Sequence, residues 1–272
     1  MNDTPLGKHT EYPKAYSRDL LAPISREHNR AQLPEYSARL AFTGYDLWTL
    51  YELSWLNAYG TPQVMMAELR VPADSPNIVE SKSLKLYINS LYYQRFTSSD
   101  ELAAELVEAI SASVGVRVSV HLWPLVDFPQ PTMNHSLEMI DLDQFSATPA
   151  SSPNIKYVEY DNVEGYKRIF KTDLFRSLCP VTGQPDWATV YIALNGIQPN
   201  IQMLSAYMLG YREHQGFHEA CVEQIYADLT STMEPQGIAV AARYTRRGGI
   251  DINPYRYGGE TVFEMPGRTV RQ

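Results

Sequence analysis

Cysteine is almost missing from this 272-residue chain, which has two, Cys179 and Cys221. Two thiols make no disulfide framework, so both are expected to be free, in a reducing cytoplasm. Long apolar runs are missing as well. No stretch approaches the roughly 18 uninterrupted apolar residues of a membrane helix. The start, Met1-Asn2-Asp3-Thr4-Pro5, has neither the basic nor the apolar region of a secretion signal. Neither a membrane partner nor secretion is expected. Positive charge is in deficit, with 23 Lys and Arg against 31 Asp and Glu and a formal charge of -8. That balance argues against nucleic-acid binding through broad phosphate neutralisation. G-x-G-x-x-G, the P-loop, C-x-x-C and H-E-x-x-H are all missing, so a Rossmann site, a nucleotide triphosphatase and a common zinc site lose support. Histidines stand at 9, 28, 121, 135, 214 and 218, and only His214 with His218 has helical ligand spacing. No metal is expected.

What is present is a globular composition, 44% hydrophobic, long enough for one large domain or two ordinary ones. Residues 1–36 read as an irregular segment with prolines at 5, 13, 23 and 34. The small, polar, proline-punctuated run 146–154 reads as a linker between modules at 37–145 and 155–272. The two halves repeat faintly. Asp46, Thr49 and Tyr51 have the spacing of Asp186, Thr189 and Tyr191 in strand-like runs. Gly115 precedes alternating Val116, Val118, Val120 and Leu122, as Gly237 precedes Ile238, Val240, Ala242 and Tyr244. Between them Ser98 with Glu101 forms a capping box, Leu102, Leu106 and Ile110 make an apolar stripe, and Gly115 stops the helix. Phe217, Cys221, Ile225 and Leu229 make the matching stripe. The expected fold class is α+β, in two modules that each have an antiparallel sheet with helices on one face.

Cys179 opens Cys179-Pro180-Val181-Thr182-Gly183-Gln184-Pro185-Asp186-Trp187, outside any apolar period. That placement favours partial exposure, and a thiol there is either a small hydrophobe in a loop or a nucleophile once its pKa is lowered. Cys221 lies on an apolar stripe and reads as core. Asp186, after Pro185, suits a strand edge or, beside Trp187, a general acid. His218 and Glu219 begin a helix, where a Glu complements the dipole and a His is ordinarily solvated. The same pair can hold a guanine-like edge and move a proton. The Glu80-Ser81-Lys82-Ser83-Leu84-Lys85 run reads as a capped helix start, or as an anion site with Ser81 and Lys82 as donors. The cluster Arg243-Tyr244-Thr245-Arg246-Arg247-Gly248-Gly249 also leaves room for a small anionic ligand.

Glu80 to Tyr87, Cys179 to Trp187, Phe217-His218-Glu219 and Tyr244 to Pro254 together resemble the NADPH-dependent 7-cyano-7-deazaguanine reductases, the QueF family of queuosine biosynthesis. The likeness runs from about Asp46 to Gln272 and follows the longer, two-module branch. It implies two tunnelling-fold modules per chain and reduction of a nitrile to a primary amine with two NADPH. By this resemblance Cys179 adds to the nitrile carbon to form a thioimide and Asp186 supplies the proton. His218 and Glu219 hold the deazapurine, Glu219 at its Watson-Crick edge, and Val79, Glu80 and Ser81 add substrate contacts. Ser81, Lys82, Arg247 and Gly248 meet NADPH. A homodimer with no direct nucleic-acid partner is implied too. Aligning Asp46 with Asp186 places Arg39 opposite Cys179. Aligning Phe96 with Phe217 places Thr97-Ser98 opposite His218-Glu219, while Gln202-Met203-Leu204-Ser205 falls where the first half has Glu80-Ser81-Lys82-Ser83. One active site per chain is therefore expected, drawing on both modules. Competing readings are a thiol-dependent nitrile or amide hydrolase, a zinc-dependent pterin-type cyclohydrolase, and a non-catalytic purine-binding protein of the same fold.

Overall fold

The computed structural model describes residues 7, 11–31, 33, 42–129, 138–260 and 263–272. Arg39, His9 and His135 lie outside these residues. The architecture is α+β, dominated by antiparallel pairing. Two compact units divide the chain: Met1–His28, Tyr45–Pro129 and Arg246–Ile252 form the first, and Asn29–Gly44, Gln130–Thr245 and Asn253–Gln272 the second. This differs from the contiguous modules expected from composition. The turn after Tyr244 joins the first unit because Tyr51 N–H donates to Gly249 O at 2.9 Å and Arg246 lies 4.7 Å over the Tyr51 ring.

In the first unit the N-terminal stretch is not uniformly irregular. It supplies β1 (Pro23–Ser25) and a helical turn, α1 (Glu27–Arg30), at which the unit ends. A hairpin of β2 (Thr43–Leu56) and β3 (Pro62–Pro72) follows, and β4 (Asn77–Val79) pairs with β1. Helices α2 (Ser81–Ser90) and α3 (Ser99–Val114) lead to β5 (Ser119–Trp123), which pairs with β3. Ser98 caps α3 by accepting from Glu101 N–H, and Gly115 ends it at φ +81, a left-handed position open to glycine. The expected capping box is displaced by one residue, since the Glu101 carboxylate returns to Thr97 N–H at 2.7 Å rather than to Ser98. The apolar stripe Leu102, Leu106 and Ile110 meets Trp48, Leu50 and Leu69 from the strands and Leu84 and Ile88 from α2. Each such side chain stabilises the fold by about 1.5–3 kcal/mol.

The second unit repeats this order. After the short β6 (Met139–Asp141) come a long hairpin of β7 (Tyr160–Leu178) and β8 (Pro185–Pro199), helices α4 (Ile201–Leu209) and α5 (His218–Met233), and β9 (Gly237–Tyr244). It adds β10 (Ile250–Gly259), of which 253–259 belong here. Pairing runs β10-β9-β8-β7-β6, antiparallel throughout except β6 with β7. Ile238, Val240, Ala242 and Tyr244 face the helical core as their alternation implies, yet β9 is buried on its other face too. There the C-terminal tail covers it, with the Arg243 guanidinium donating to Pro266 O.

The repeat is real in element order, but its register differs from the sequence alignment. Asp46 lies on β2, the first strand of its hairpin, whereas Asp186 lies on β8, the second of its own. Leu56 and Leu178 are the matching strand ends, each bridging in parallel to the segment before the second helix, at Arg95 and Gln215. Asn57 thus stands opposite Cys179, and the helix caps set Ser98 opposite Phe217 and Glu80 opposite Asn200. The D-x-x-T-x-Y likeness reflects strand-favouring residues recurring in unrelated strands.

Candidate active site

The second unit gathers four of the residues singled out by sequence. Cys179 follows β7 and begins the hairpin turn, its N–H donating to Gln184 O and its carbonyl accepting from Gly183 N–H, both at 2.9 Å. Gly183 sits at φ +68, which closes the turn. Cys179 is only 5% exposed, so the expected partial exposure is corrected: the tight turn folds the thiol inward. Leu178, its neighbour, donates N–H to His214 O at 2.8 Å and accepts from Gly216 N–H at 3.0 Å. This bridge draws the thiol's turn to the segment that starts α5.

Asp186, the second residue of β8, is buried and pairs in register with Ser177. Its Oδ1 lies 3.3 Å from His218 Nε2. His218 and Glu219 open α5, and both are buried, which sets aside the reading of His218 as a solvated surface group. The cap residue Phe217 makes no side-chain cap hydrogen bond. The His218 imidazole stacks on the Tyr244 ring, centroids 3.7 Å apart and planes 5° apart. Nothing in the spacing of Tyr244 marks a ring beneath the histidine. Cys221 lies in the core, and burial pushes its thiol up to about 12, so it stays protonated at neutral pH.

The remaining candidates belong to the first unit. Val79 ends β4 and is buried. Glu80 caps α2, its carboxylate accepting from Lys82 N–H at 2.6 Å and Ser83 N–H at 2.9 Å, with Ser81 Oγ at 3.4 Å. Desolvation raises the Glu80 pKa, and the backbone N–H groups oppose that rise. Glu80 therefore takes up the Lys82 and Ser83 amides of that helix end. The cations remain. Arg247 and Ile250 exchange backbone hydrogen bonds across a turn whose glycines, Gly248 and Gly249, have φ of +60 and +78. A Cβ on Gly248 would stand 2.9 Å from Lys85 Nζ and one on Gly249 2.3 Å from Glu52 Cδ, so glycine keeps this cradle open. Ser81 and Lys82 open the helix that carries Lys85, and the cradle lies against its next turn. Lys85 belongs to the Glu80 motif, but no spacing in the sequence ties it to Gly248. Among the described residues no three His, Cys, Asp or Glu side chains converge as metal ligands, and no helix is long and apolar enough to cross a membrane.

Comparison with known proteins adds independent findings. Residues 12–122 match the family model described as "Nitrile reductase, 7-cyano-7-deazaguanine-reductase N-term", and residues 185–261 match one described as "QueF-like protein". A Paraburkholderia phymatum protein named NADPH-dependent 7-cyano-7-deazaguanine reductase is 44% identical over 277 residues, covering 99% of this chain and 98% of its own. Proteins of the same name are 45% identical in Burkholderia cenocepacia and 41% in Acinetobacter baumannii, each over 273 residues. They cover 99% and 98% of this chain and 98% and 97% of their own lengths.

Proposed function

Since the chain belongs to the 7-cyano-7-deazaguanine reductase family, we propose that it is an oxidoreductase that reduces the nitrile of 7-cyano-7-deazaguanine to the primary amine, consuming NADPH. The observation that carries this reading is the second unit's cluster: a thiol on a turn bridged to the start of α5, with Asp186 beside His218. The proposed product, 7-aminomethyl-7-deazaguanine, serves queuosine formation in the cytoplasm, and a homodimer is the proposed assembly.

In this mechanism the Cys179 sulfur adds to the nitrile carbon as the thiolate, the form in which it is later released. One π pair moves to nitrogen, which takes the proton of Asp186, and a thioimide results. Asp186 must therefore carry a proton when the nitrile arrives, and His218 is proposed to hold the deazapurine with Glu219 and to return that proton. When bound, NADPH supplies a hydride at each of two steps. After the first, the carbon–sulfur bond breaks with its pair returning to Cys179, leaving an imine, and the second with a further proton completes the amine. Glu219 accepts from the ring N–H and exocyclic amine of the deazaguanine, while Val79, Glu80 and Ser81 are proposed as further substrate contacts. Ser81, Lys82, Arg247 and Gly248 are proposed to meet the cofactor at the glycine turn, where Lys85 lies 4.0 Å from Glu52. The test is stoichiometry: NADPH oxidation that requires the cyano substrate, at two per amine formed. Acid or amide formation without NADPH oxidation would indicate a hydrolase instead.

A further inference from the structure

Tyr244 ends β9 with no exposed surface, and the proposed chemistry makes no use of it. Its ring lies parallel to His218 at 3.7 Å. Aromatic pairs on their own prefer offset or edge-on arrangements, so a parallel pair this close reflects rings held from elsewhere. Tyr244 is held through its backbone. Its N–H donates to Asn253 Oδ1 at 3.1 Å, and its carbonyl accepts from Gln272 Nε2 at 3.1 Å. Gln272 Nε2 also donates to Asn253 Oδ1 at 2.7 Å. The hydroxyl end is buried and makes no hydrogen bond among the described residues, and Ser177, on the neighbouring strand, is the cross-strand partner of Asp186. Tyr244 itself pairs with Ala188, two residues beyond Asp186 on β8.

His218 is held differently. A histidine ring that works through one nitrogen is ordinarily oriented by a hydrogen bond at the other. Here Nδ1 is buried and makes no hydrogen bond among the described residues. We infer that Tyr244 is a positioning residue whose stacked ring replaces that hydrogen bond and holds His218 Nε2 towards Asp186. The inference rests on the proposed role of Asp186 as proton donor.

The test compares Tyr244→Phe, which keeps the ring, with Tyr244→Leu, which removes it, each alone and combined with His218→Ala. Thermal melting checks the fold, and adduct formation is followed in single turnovers. Losing the ring is expected to slow adduct formation about 10- to 100-fold, the scale of a misplaced catalytic group, with the KM for cyano substrate little changed. The Phe variant should recover most of that loss, and the Leu change should cost nothing more where His218 is already Ala. Equal losses for Phe and Leu, or a full additional loss in the His218→Ala background, would overturn the inference. If the Leu variant does not fold, histidine NMR of the unmodified protein decides. Ring protons of His218 shifted upfield by the stack support the inference, and unshifted ones refute it. No adduct at all in the unmodified protein, with shifted resonances, would defeat the parent reading and leave the stack standing.

Discussion

The two units run through the same order of elements, yet they finish their equivalent ends differently. In the first, the hairpin turn is closed by Asn57, whose Oδ1 accepts from Tyr59 and Thr61 N–H, both at 3.0 Å. In the second, the residue at that place is Cys179, held by its backbone alone among the bonds that close the turn. Ser98 caps α3, whereas the start of α5 has no side-chain cap and buries His218 and Glu219. The aspartates differ as well. Asp46 faces the buried Arg26 guanidinium, whose Nε also donates to Ser75 Oγ at 3.0 Å, while Asp186 faces an imidazole. Where the first unit directs polar side chains at its own backbone and counter-charges, the second sets a carboxylate beside an imidazole and bridges the thiol's turn to the segment before the same helix.

The two aspartates give the largest expected contrast. Asp186→Asn should lower kcat by about 10²–10⁴-fold, the usual worth of a placed general acid, with little change in melting. Asp46→Asn should do the reverse, costing about 3–5 kcal/mol in denaturant unfolding because Arg26 is left buried without its counter-charge, while turnover per folded molecule persists. If both substitutions moved the same observable, the division between the units would fail. The helix starts sharpen it further. Glu219→Gln should weaken cyano-substrate binding roughly 10- to 100-fold by calorimetry, as one charged acceptor is lost. Ser98→Ala should cost about 1 kcal/mol of stability and leave binding unchanged.

The smallest effect concerns the caps of α2 and α4, Glu80 and Asn200. Burial holds the folded pKa of Glu80 above its ordinary value. A raised carboxyl binds its proton more tightly when folded, so its contribution is complete below the ordinary glutamate range and is lost as pH rises through the folded value. Melting curves of Glu80→Gln should therefore decline less than those of the unmodified protein over that window. Asn200→Ala, which removes a neutral cap, should lower the melting temperature by the same amount at every pH.

Much of this was legible in the chain. Ser98, the Leu102-Leu106-Ile110 stripe and Gly115 fix α3 because a cap, a four-residue period and a left-handed stop each act locally. Cys179, Asp186, His218 and Glu219 were visible as chemistry-bearing residues outside or at the edge of apolar periods. The pairing of strands was not. Strand propensity has no direction, so the Asp46 and Asp186 runs looked alike although one is the first strand of its hairpin and the other the second. Nor could sequence show that the tail buries the second face of β9 or that Tyr244 lies under His218. Those are long-range contacts, set by packing between residues far apart in the chain.

The central claim is that Cys179, and not the fully buried Cys221, forms a bond to the nitrile carbon. Intact-protein mass spectrometry with 7-cyano-7-deazaguanine and no NADPH tests it directly. The mass should rise by one substrate in the unmodified protein and in Cys221→Ala, remain unchanged in Cys179→Ala, and return to the starting value when NADPH is added. An unmodified protein that shows no adduct, or an adduct that persists in Cys179→Ala, would contradict the account.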